Sequence, residues 1–433
     1  MPRILIVGGG LHFQRLLLDL SPDIGTTVLC RAGTLGSVQG IERHHAVVVL
    51  SDRASADDWS AAATAVDRLW PVDRIASFSE VDQDRAAAIA DRLGLPFNSP
   101  STVRAVNDKR ETRARLRAAG VESLPHRPVD SVADLREFFD EAGPPLILKP
   151  SRARGSIGIS LVRHASDIDR AFQRSVTASG PRIPPSPLLA ERFVEGVGLC
   201  VDALTHQGEH HVLAVSETVV DPETQVDLAH VTPARLPEAA VRAVTAHVRA
   251  ALDALGVESG LTNTDVILSP EGPVILETHL RASGNRIPEL IRLATGTDIV
   301  RLWLRQIAGE DVAAVPELRR ARPIPVHSRA AAVRFLTTGE SGTLLGIDGW
   351  EEATTLDGVH HAARLAQDGA GLEGLQNDSS YLGEMVFVAD TASQALERAE
   401  AAVGSLRVRV HPAEGPHGRR GPSPAERSSS GGQ

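Results

Sequence analysis

Over the first hundred residues, short apolar runs alternate with stretches whose apolar positions recur every three to four residues. The apolar runs predict strands at residues 3–7, 26–30, 46–50 and 74–78. The amphipathic stretches predict helices at residues 11–20, 57–69 and 82–93. Alternation of strands and helices is typical of a parallel sheet covered by helices. The sequence therefore predicts an N-terminal parallel α/β domain over residues 1–100.

The middle of the chain mixes both kinds of pattern. Helical periodicity covers residues 107–119, 130–141, 237–255 and 290–308. Strand-like runs cover residues 146–149, 158–162, 188–194 and 199–205, and residues 264–268 and 273–277 form a predicted hairpin. The proline-rich residues 181–187 predict a surface loop.

Beyond residue 316 the apolar runs are short. They predict strands at 329–336 and 385–389 and a final helix at 391–403, hence a small α+β region over residues 316–410. Residues 411–433 contain almost no apolar side chains and predict a disordered tail.

Composition and charge exclude several classes of protein. No stretch approaches 18 consecutive apolar residues, which argues against a membrane span, and the strand pattern that starts at Arg3 leaves no room for a secretory signal. The net charge of −10 argues against a nucleic-acid partner. The two cysteines, Cys30 and Cys200, cannot form a disulfide framework. We expect a cytoplasmic enzyme or binding protein.

Lysine is nearly absent from this chain. Lys109 and Lys149 are the only lysines among 45 lysines and arginines. A surface position tolerates arginine in place of lysine, whereas a site that needs a compact charge does not, because guanidinium is broad and planar. The two lysines are therefore candidate anion ligands, with survival by chance as the alternative.

A loop of small residues follows Lys149, which ends an apolar strand. The loop includes Gly155, Ser156 and Gly158. Glycine lets backbone N–H groups approach an anion closely, and Ser156 adds a hydroxyl donor. This pattern predicts a phosphate-binding loop without the Walker A spacing; an ordinary hairpin loop is the alternative.

The strongest local signal lies on the predicted hairpin. Glu277 and His279 are two residues apart on a strand, so their side chains point to one face, which Arg281 continues. Asp265 is expected to face Glu277 across the hairpin. Two carboxylates with a third ligand suit Mg²⁺, which prefers oxygen donors and often shares substrate phosphates. A solvated strand face is the alternative, but it leaves residues 280–284 unexplained.

In this order, the segments resemble the ATP-grasp superfamily of carboxylate–amine ligases over roughly residues 1–310. The elements that carry the resemblance are the end of the first domain (Glu80, Leu93-Gly94-Leu95-Pro96), the helix that begins Asn107-Asp108-Lys109, the lysine strand with its glycine loop, the strand with Glu191, and the metal strand Glu277–Arg281. The resemblance implies an α/β and α+β fold, in which a two-lobed ATP-grasp domain over residues 101–315 follows a pre-ATP-grasp domain. The lobes are expected at about 107–188 and 189–315.

The resemblance also implies roles for individual residues. The expected ATP contacts are Lys109, Lys149, Arg154, Gly155, Ser156, Gly158, Glu191, Phe193 and Val194. Mg²⁺, with Mn²⁺ as the alternative ion, is expected on Asp265, Glu277 and His279. The expected catalytic residues are Arg281, Lys149 and Ser156, and the expected substrate contacts are Arg281, Ser283 and Gly284.

Two positions depart from the superfamily pattern. His279 stands where the metal strand usually has asparagine, and it is interpreted either as a metal ligand or as a substrate-side residue. Gly198 stands about where the superfamily has a ribose-binding carboxylate, so the ribose contacts are undefined.

Within the superfamily, the region after residue 320 and residues 281–286 are most similar to the L-amino-acid (dipeptide) ligases. This implies an ADP-forming ligase that joins a carboxylate, expected to be an amino acid, to an amine through an acyl phosphate. The alternatives are an ATP-dependent carboxylase of the superfamily and a non-catalytic ATP-binding module. The expected partners are a small-molecule acid and a small-molecule amine, without nucleic acid or membrane, and a homodimer is one expected assembly.

Overall fold

The computed structural model describes residues 2–10, 12–152, 155, 157–178, 186–320 and 327–412. Its first sheet is parallel, with strand order β3-β2-β1-β4. The elements of this region are β1 (Arg3–Val7), α1 (Phe13–Leu20), β2 (Gly25–Arg31), β3 (Ala46–Leu50), α2 (Ala56–Leu69), β4 (Arg74–Ala76) and α3 (Gln83–Leu93). The parallel α/β prediction for the N-terminal region is confirmed.

The second sheet is antiparallel, with strand order β5-β8-β6-β7. The elements here are α4 (Pro100–Asn107), α5 (Lys109–Ala118), β5 (His126–Val129), α6 (Val132–Ala142), β6 (Leu146–Pro150), β7 (Ser160–Val162), α7 (Ile168–Thr177) and β8 (Leu188–Arg192). The helix predicted at 107–119 begins at Lys109, because the side chain of Asp108 accepts a hydrogen bond from the Arg110 amide and so caps α5.

The largest sheet has eight strands, and its first five are β13-β12-β9-β10-β11. The elements between residues 197 and 320 are β9 (Val197–His206), β10 (Glu209–Val220), β11 (Asp227–Thr232), α8 (Glu238–Leu255), β12 (Ser259–Ser269), β13 (Gly272–His279), α9 (Ile287–Thr295), α10 (Ile299–Ile307) and α11 (Pro316–Arg320). The single helix predicted at 290–308 is wrong: α9 ends at Gly296, whose φ of +75° is left-handed.

The same sheet continues into the C-terminal region as β14-β18-β16. The elements of this region are β14 (Ala330–Leu336), β15 (Ser341–Asp348), α12 (Trp350–Thr354), β16 (Val359–Arg364), β17 (Gly371–Glu373), β18 (Gly383–Ala389), α13 (Ala392–Gly404) and β19 (Arg407–Pro412). A small sheet, β17-β15-β19, lies beside it. β19 runs two residues into the predicted tail, and residues 413–433 lie outside the described part of the chain.

An apolar core joins the N-terminal sheet to the eight-stranded one. It includes Ile4 of β1, Leu204 of β9 and Trp303 of α10. Phe78 lies edge-on to Trp303 with ring centroids 5.5 Å apart. This packing holds the residues after β4 against α10. Along the described ranges, no helix is long and apolar enough to cross a membrane.

Candidate active site

The β12–β13 hairpin brings the three predicted metal-binding side chains together. Asp265 and Glu277 are directly paired in the strand register, as the sequence spacing predicts. His279 follows on the same strand, and one ligand atom from each of these residues lies within 4.8 Å of the others. The donor set is therefore two carboxylates and one imidazole.

The two carboxylates repel each other in a half-buried setting. Burial raises the pKa of the Asp265 carboxyl, and the charge of Glu277 raises it further. Burial acts the same way on Glu277, but Lys109 and His279 outweigh it and hold the pKa of that carboxyl well below its usual range. The Lys109 Nζ lies 2.6 Å from Glu277 Oε2. A divalent cation would relieve this repulsion, so the donor set fits Mg²⁺.

Both lysines of the chain are buried and paired with carboxylates. Lys109, the first residue of α5, is 9% exposed, and Lys149 on β6 is 5% exposed. The Lys149 Nζ lies 2.6 Å from Glu191 Oε2. The Lys109 amide donates to the Ser151 carbonyl at 3.0 Å, which fixes α5 to the start of the small-residue loop. The two lysines therefore belong to one site.

Glu191 is held by two cations. Arg113 Nε lies 2.6 Å from Glu191 Oε1, and Lys149 contacts the other oxygen. Burial opposes ionisation, yet Arg113 and Lys149 together lower the pKa of Glu191 to about 2. Phe193 also has a partner, because its amide donates to the Pro145 carbonyl at 3.0 Å. Glu191 thus lies in the site, as predicted, but each of its carboxylate oxygens is already paired with a cationic side chain.

Part of the small-residue loop is described. Gly155 and Gly158 have φ of +62° and +75°, a conformation that favours glycine. At Gly158 a Cβ would lie 2.5 Å from the Ala178 Cβ, so a larger residue would not fit. Two predicted ATP contacts, Arg154 and Ser156, lie outside the described residues.

Comparison with known proteins identifies the domains that carry this geometry. Residues 142–289 match the ATP-grasp domain family, and residues 334–411 match the family described as L-amino acid ligase C-terminal domain 2. The chain therefore contains an ATP-grasp domain over residues 142–289.

Relatives of this ATP-grasp protein include alanine–anticapsin ligase of Bacillus subtilis, 27% identical over 54% of this chain and 54% of the relative. An uncharacterized protein of Sinorhizobium fredii is 26% identical over 75% of this chain and 65% of its own length. This chain thus spans about half to two thirds of these relatives. The L-amino acid ligase of Bacillus licheniformis superposes with a TM-score of 0.76 at 19% identity, covering 94% of this chain and 99% of that one. The predicted fold class is confirmed.

The residues that follow β13 are tied to acids from distant elements. Arg281 Nε lies 3.1 Å from Glu80 Oε1, which also contacts His279 Nδ1 at 2.6 Å. The Ser283 hydroxyl donates to Asp202 of β9. Burial raises the pKa of the Asp202 carboxyl to about 6, although the Ser283 hydrogen bond opposes that shift. These contacts hold the predicted substrate residues Arg281 and Ser283.

Sequence reasoning did not assign roles to several of these acids. Asn285 Nδ2 donates to Asp227 Oδ2 at 3.3 Å, and His230 Nε2 lies 3.4 Å from the same carboxylate oxygen. Asp202 had a usable signal, because a charged residue inside an apolar strand is rarely buried without a partner. Asp227 had no such signal, because its contact with Asn285 joins residues that are distant in the sequence. Gly284, predicted to contact substrate, lies in the same loop, and an added Cβ there would meet no heavy atom within 4 Å.

His279 leads to a prediction for the metal-free protein. Burial opposes its charge, but Glu277 and Glu80 raise the pKa of His279 to about 9 from an ordinary value near 6.5. A raised pKa stabilises the fold fully below the unfolded value and loses that contribution as pH rises through the folded one. We therefore expect His279→Asn to lower the free energy of unfolding by up to about 3 kcal/mol at pH 6, and by much less at pH 9.5.

The measurement is urea unfolding in chelator at both pH values. The exposed His411 gives a matched control, His411→Asn. A stability gap between wild type and His279→Asn that does not narrow from pH 6 to pH 9.5 would contradict the pairing of His279 with Glu277 and Glu80.

Proposed function

We propose that this protein is an ATP-dependent, ADP-forming ligase that joins the carboxylate of an amino acid to an amine. The observation that carries the proposal is the placement of the chain's two lysines. Both are buried. The ammonium group of Lys109 pairs with Glu277 and that of Lys149 pairs with Glu191, in a site where Glu277 also faces Asp265. Buried lysines beside a divalent-cation site suit the phosphates of a nucleotide.

In this proposal the ATP-grasp domain covers residues 101–315, between a pre-ATP-grasp domain (1–100) and the C-terminal region (316–410). Asp265 and Glu277 hold Mg²⁺, which supplies neutralisation of the phosphate charge. Lys109 and Lys149 contact the phosphates, and the loop around Gly155 and Gly158 closes over them. The hinge after β8 takes the adenine, with Val194 as its main contact because the Phe193 amide already has a partner.

His279 is assigned to the substrate side. Its Nδ1 lies 2.6 Å from Glu80 and its Nε2 lies 3.6 Å from Glu277. An imidazole held between two carboxylates is protonated, and a protonated imidazole has no lone pair for a metal. His279 then acts as a cation that orients Glu80, while the metal keeps oxygen donors.

The first chemical step transfers the γ-phosphoryl group of ATP to the acid. An oxygen of the substrate carboxylate attacks the γ-phosphorus, the bond to the β–γ bridging oxygen breaks, and ADP leaves. The two lysines and Arg281 stabilise the charge that spreads over the transferring oxygens. In the second step the amine attacks the acyl carbon, phosphate leaves, and the proton lost from nitrogen passes to the site or to water.

The charged groups near Arg281 support an amino acid as the substrate. A guanidinium beside Glu80, with Asp227 and His230 nearby, offers a cation for a carboxylate and anions for an ammonium group. An amino acid carries both charges, which matches this arrangement. The match of residues 334–411 to an L-amino acid ligase domain supports the same class.

The test is a matrix of amino acids as acid and amine, incubated with ATP and Mg²⁺. We expect ADP, phosphate and an amide in equal amounts for at least one pair, measured by nucleotide chromatography and mass spectrometry. AMP with pyrophosphate would contradict the mechanism. Turnover that needs bicarbonate but no amine would make the protein a carboxylase, and tight ATP binding without turnover of any acid would make it a binding module.

A further inference from the structure

The loop after the metal strand contains two adjacent residues in a strained conformation. Asn285 and Arg286 have φ of +52° and +65°. Side chains other than glycine avoid this left-handed region, and such residues persist only where surrounding contacts hold them. The backbone at residues 285–286 therefore requires contacts that stabilise this conformation.

The C-terminal region supplies contacts of this kind to the Arg286 side chain. Arg286 Nε donates to Glu384 Oε1 at 2.8 Å, and Arg286 Nη2 lies 2.6 Å from the same oxygen. The neighbouring β16 adds His361, whose Nε2 lies 2.7 Å from Arg286 Nη2. Glu384, on β18, is buried. The remaining guanidinium nitrogen, Arg286 Nη1, donates to Glu289 Oε2 of α9 at 3.1 Å.

Glu384 and His361 both lie within residues 334–411, the part that matches the L-amino acid ligase C-terminal domain 2. Neither residue touches Arg281 or the metal-binding carboxylates in any described contact. Their contact with Arg286 nevertheless reaches the substrate loop, because Asn285 is its neighbour and contacts Asp227. The C-terminal region can therefore affect the substrate loop through Arg286, without contacting the proposed nucleotide site.

We propose that Glu384 is a positioning residue that, through Arg286, fixes the loop of residues 281–286 and so tunes recognition of the acid substrate. The inference rests on the proposed ligase function for its substrate readout. Glu384 touches neither substrate nor nucleotide in this scheme, since it acts through the Arg286 guanidinium on the backbone that carries Arg281 and Asn285.

Glu384→Gln tests the proposal because it removes the charge and keeps the shape. We expect the KM for the acid to rise about ten-fold or more, since the variant would lack the buried charge that strengthens the contacts of two guanidinium nitrogens of Arg286. The KM for ATP should change less than two-fold. Hydrogen exchange followed by mass spectrometry should show faster exchange in the peptide that contains residues 281–287.

The matched control is Asp348→Asn, which breaks an exposed ion pair with Arg409 in the same C-terminal region. It should leave both KM values and the exchange of residues 281–287 unchanged. Arg286→Gly accepts the left-handed backbone but lacks the guanidinium, so adding Glu384→Gln to it should have little further effect. Glu384→Asp should give a smaller change of the same kind, and it replaces Glu384→Gln if that variant does not fold.

Two results would overturn the proposal. One is a folded Glu384 variant in which residues 281–287 exchange hydrogen at the wild-type rate. The other is an equal change in the KM values for acid and for ATP, which would indicate a loss of structure throughout the site. The exchange readout needs no turnover. If the wild type uses no acid, the ligase function fails, whereas the effect of Glu384 on the loop is still decided.

Discussion

Lys149→Arg should lower kcat/KM for ATP by about 100-fold or more, although the positive charge is kept. Lys149 is buried, and its ammonium group lies 2.6 Å from one oxygen of Glu191, whose other oxygen contacts Arg113. A guanidinium is broader and flat, so it would not fit in this enclosed position beside Glu191 without displacing its neighbours or its own charge. Burial also lowers the pKa of Lys149, which marks a tightly enclosed site. Lys109→Arg should behave similarly, because Lys109 is enclosed beside Glu277.

The measurement is steady-state kinetics with varied ATP at saturating acid and amine, together with calorimetric titration of ATP. Arg117→Lys on the exposed face of α5 is the matched control and should leave both unchanged. Wild-type affinity and turnover in both lysine variants would mean that the lysines survived for reasons unrelated to ATP.

Glu277→Gln should remove most turnover, about 100-fold to 1,000-fold in kcat. The substitution deletes one of two carboxylates that face each other across the hairpin, and it also removes the negative charge that pairs with Lys109 at 2.6 Å. The remaining carboxylate, Asp265, offsets less of the cation's charge, so the Mg²⁺ concentration for half-maximal rate should rise as well.

A titration of rate against Mg²⁺ checks this prediction. Glu271→Gln changes an exposed carboxylate at the tip of the same hairpin and should have no effect. If Glu277→Gln kept its rate and its Mg²⁺ requirement, the hairpin would have no role in metal binding.

Much of the site follows from patterns that are local in sequence. The hairpin register needs only the two-residue alternation of a strand and a short turn, so the facing of Asp265 and Glu277 could be predicted. The two lysines stand out because arginine replaces lysine everywhere else. Both features can be read without knowledge of distant contacts.

What could not be predicted depends on distant packing. β5 has only four residues and contains Pro128, which suits the edge position it occupies but obscures the strand pattern. β10 and β11 went unpredicted because buried polar residues, such as His211 and His230, interrupt their apolar runs. The pairing of Glu191 with Arg113 joins residues 78 positions apart, and no local spacing encodes it.

The eight-stranded sheet passes from the ATP-grasp match into the C-terminal match through the pairing of β11 with β14. A fragment cut before β14 would expose the backbone donors and acceptors of β11 along an edge that is largely buried in the whole protein. Such an edge readily pairs with another chain, so the fragment would tend to aggregate. Boundaries drawn from family matches are therefore poor guides for dividing this protein, and a chimaera that exchanges its C-terminal region needs to carry β14, β16 and β18 as one unit with β11.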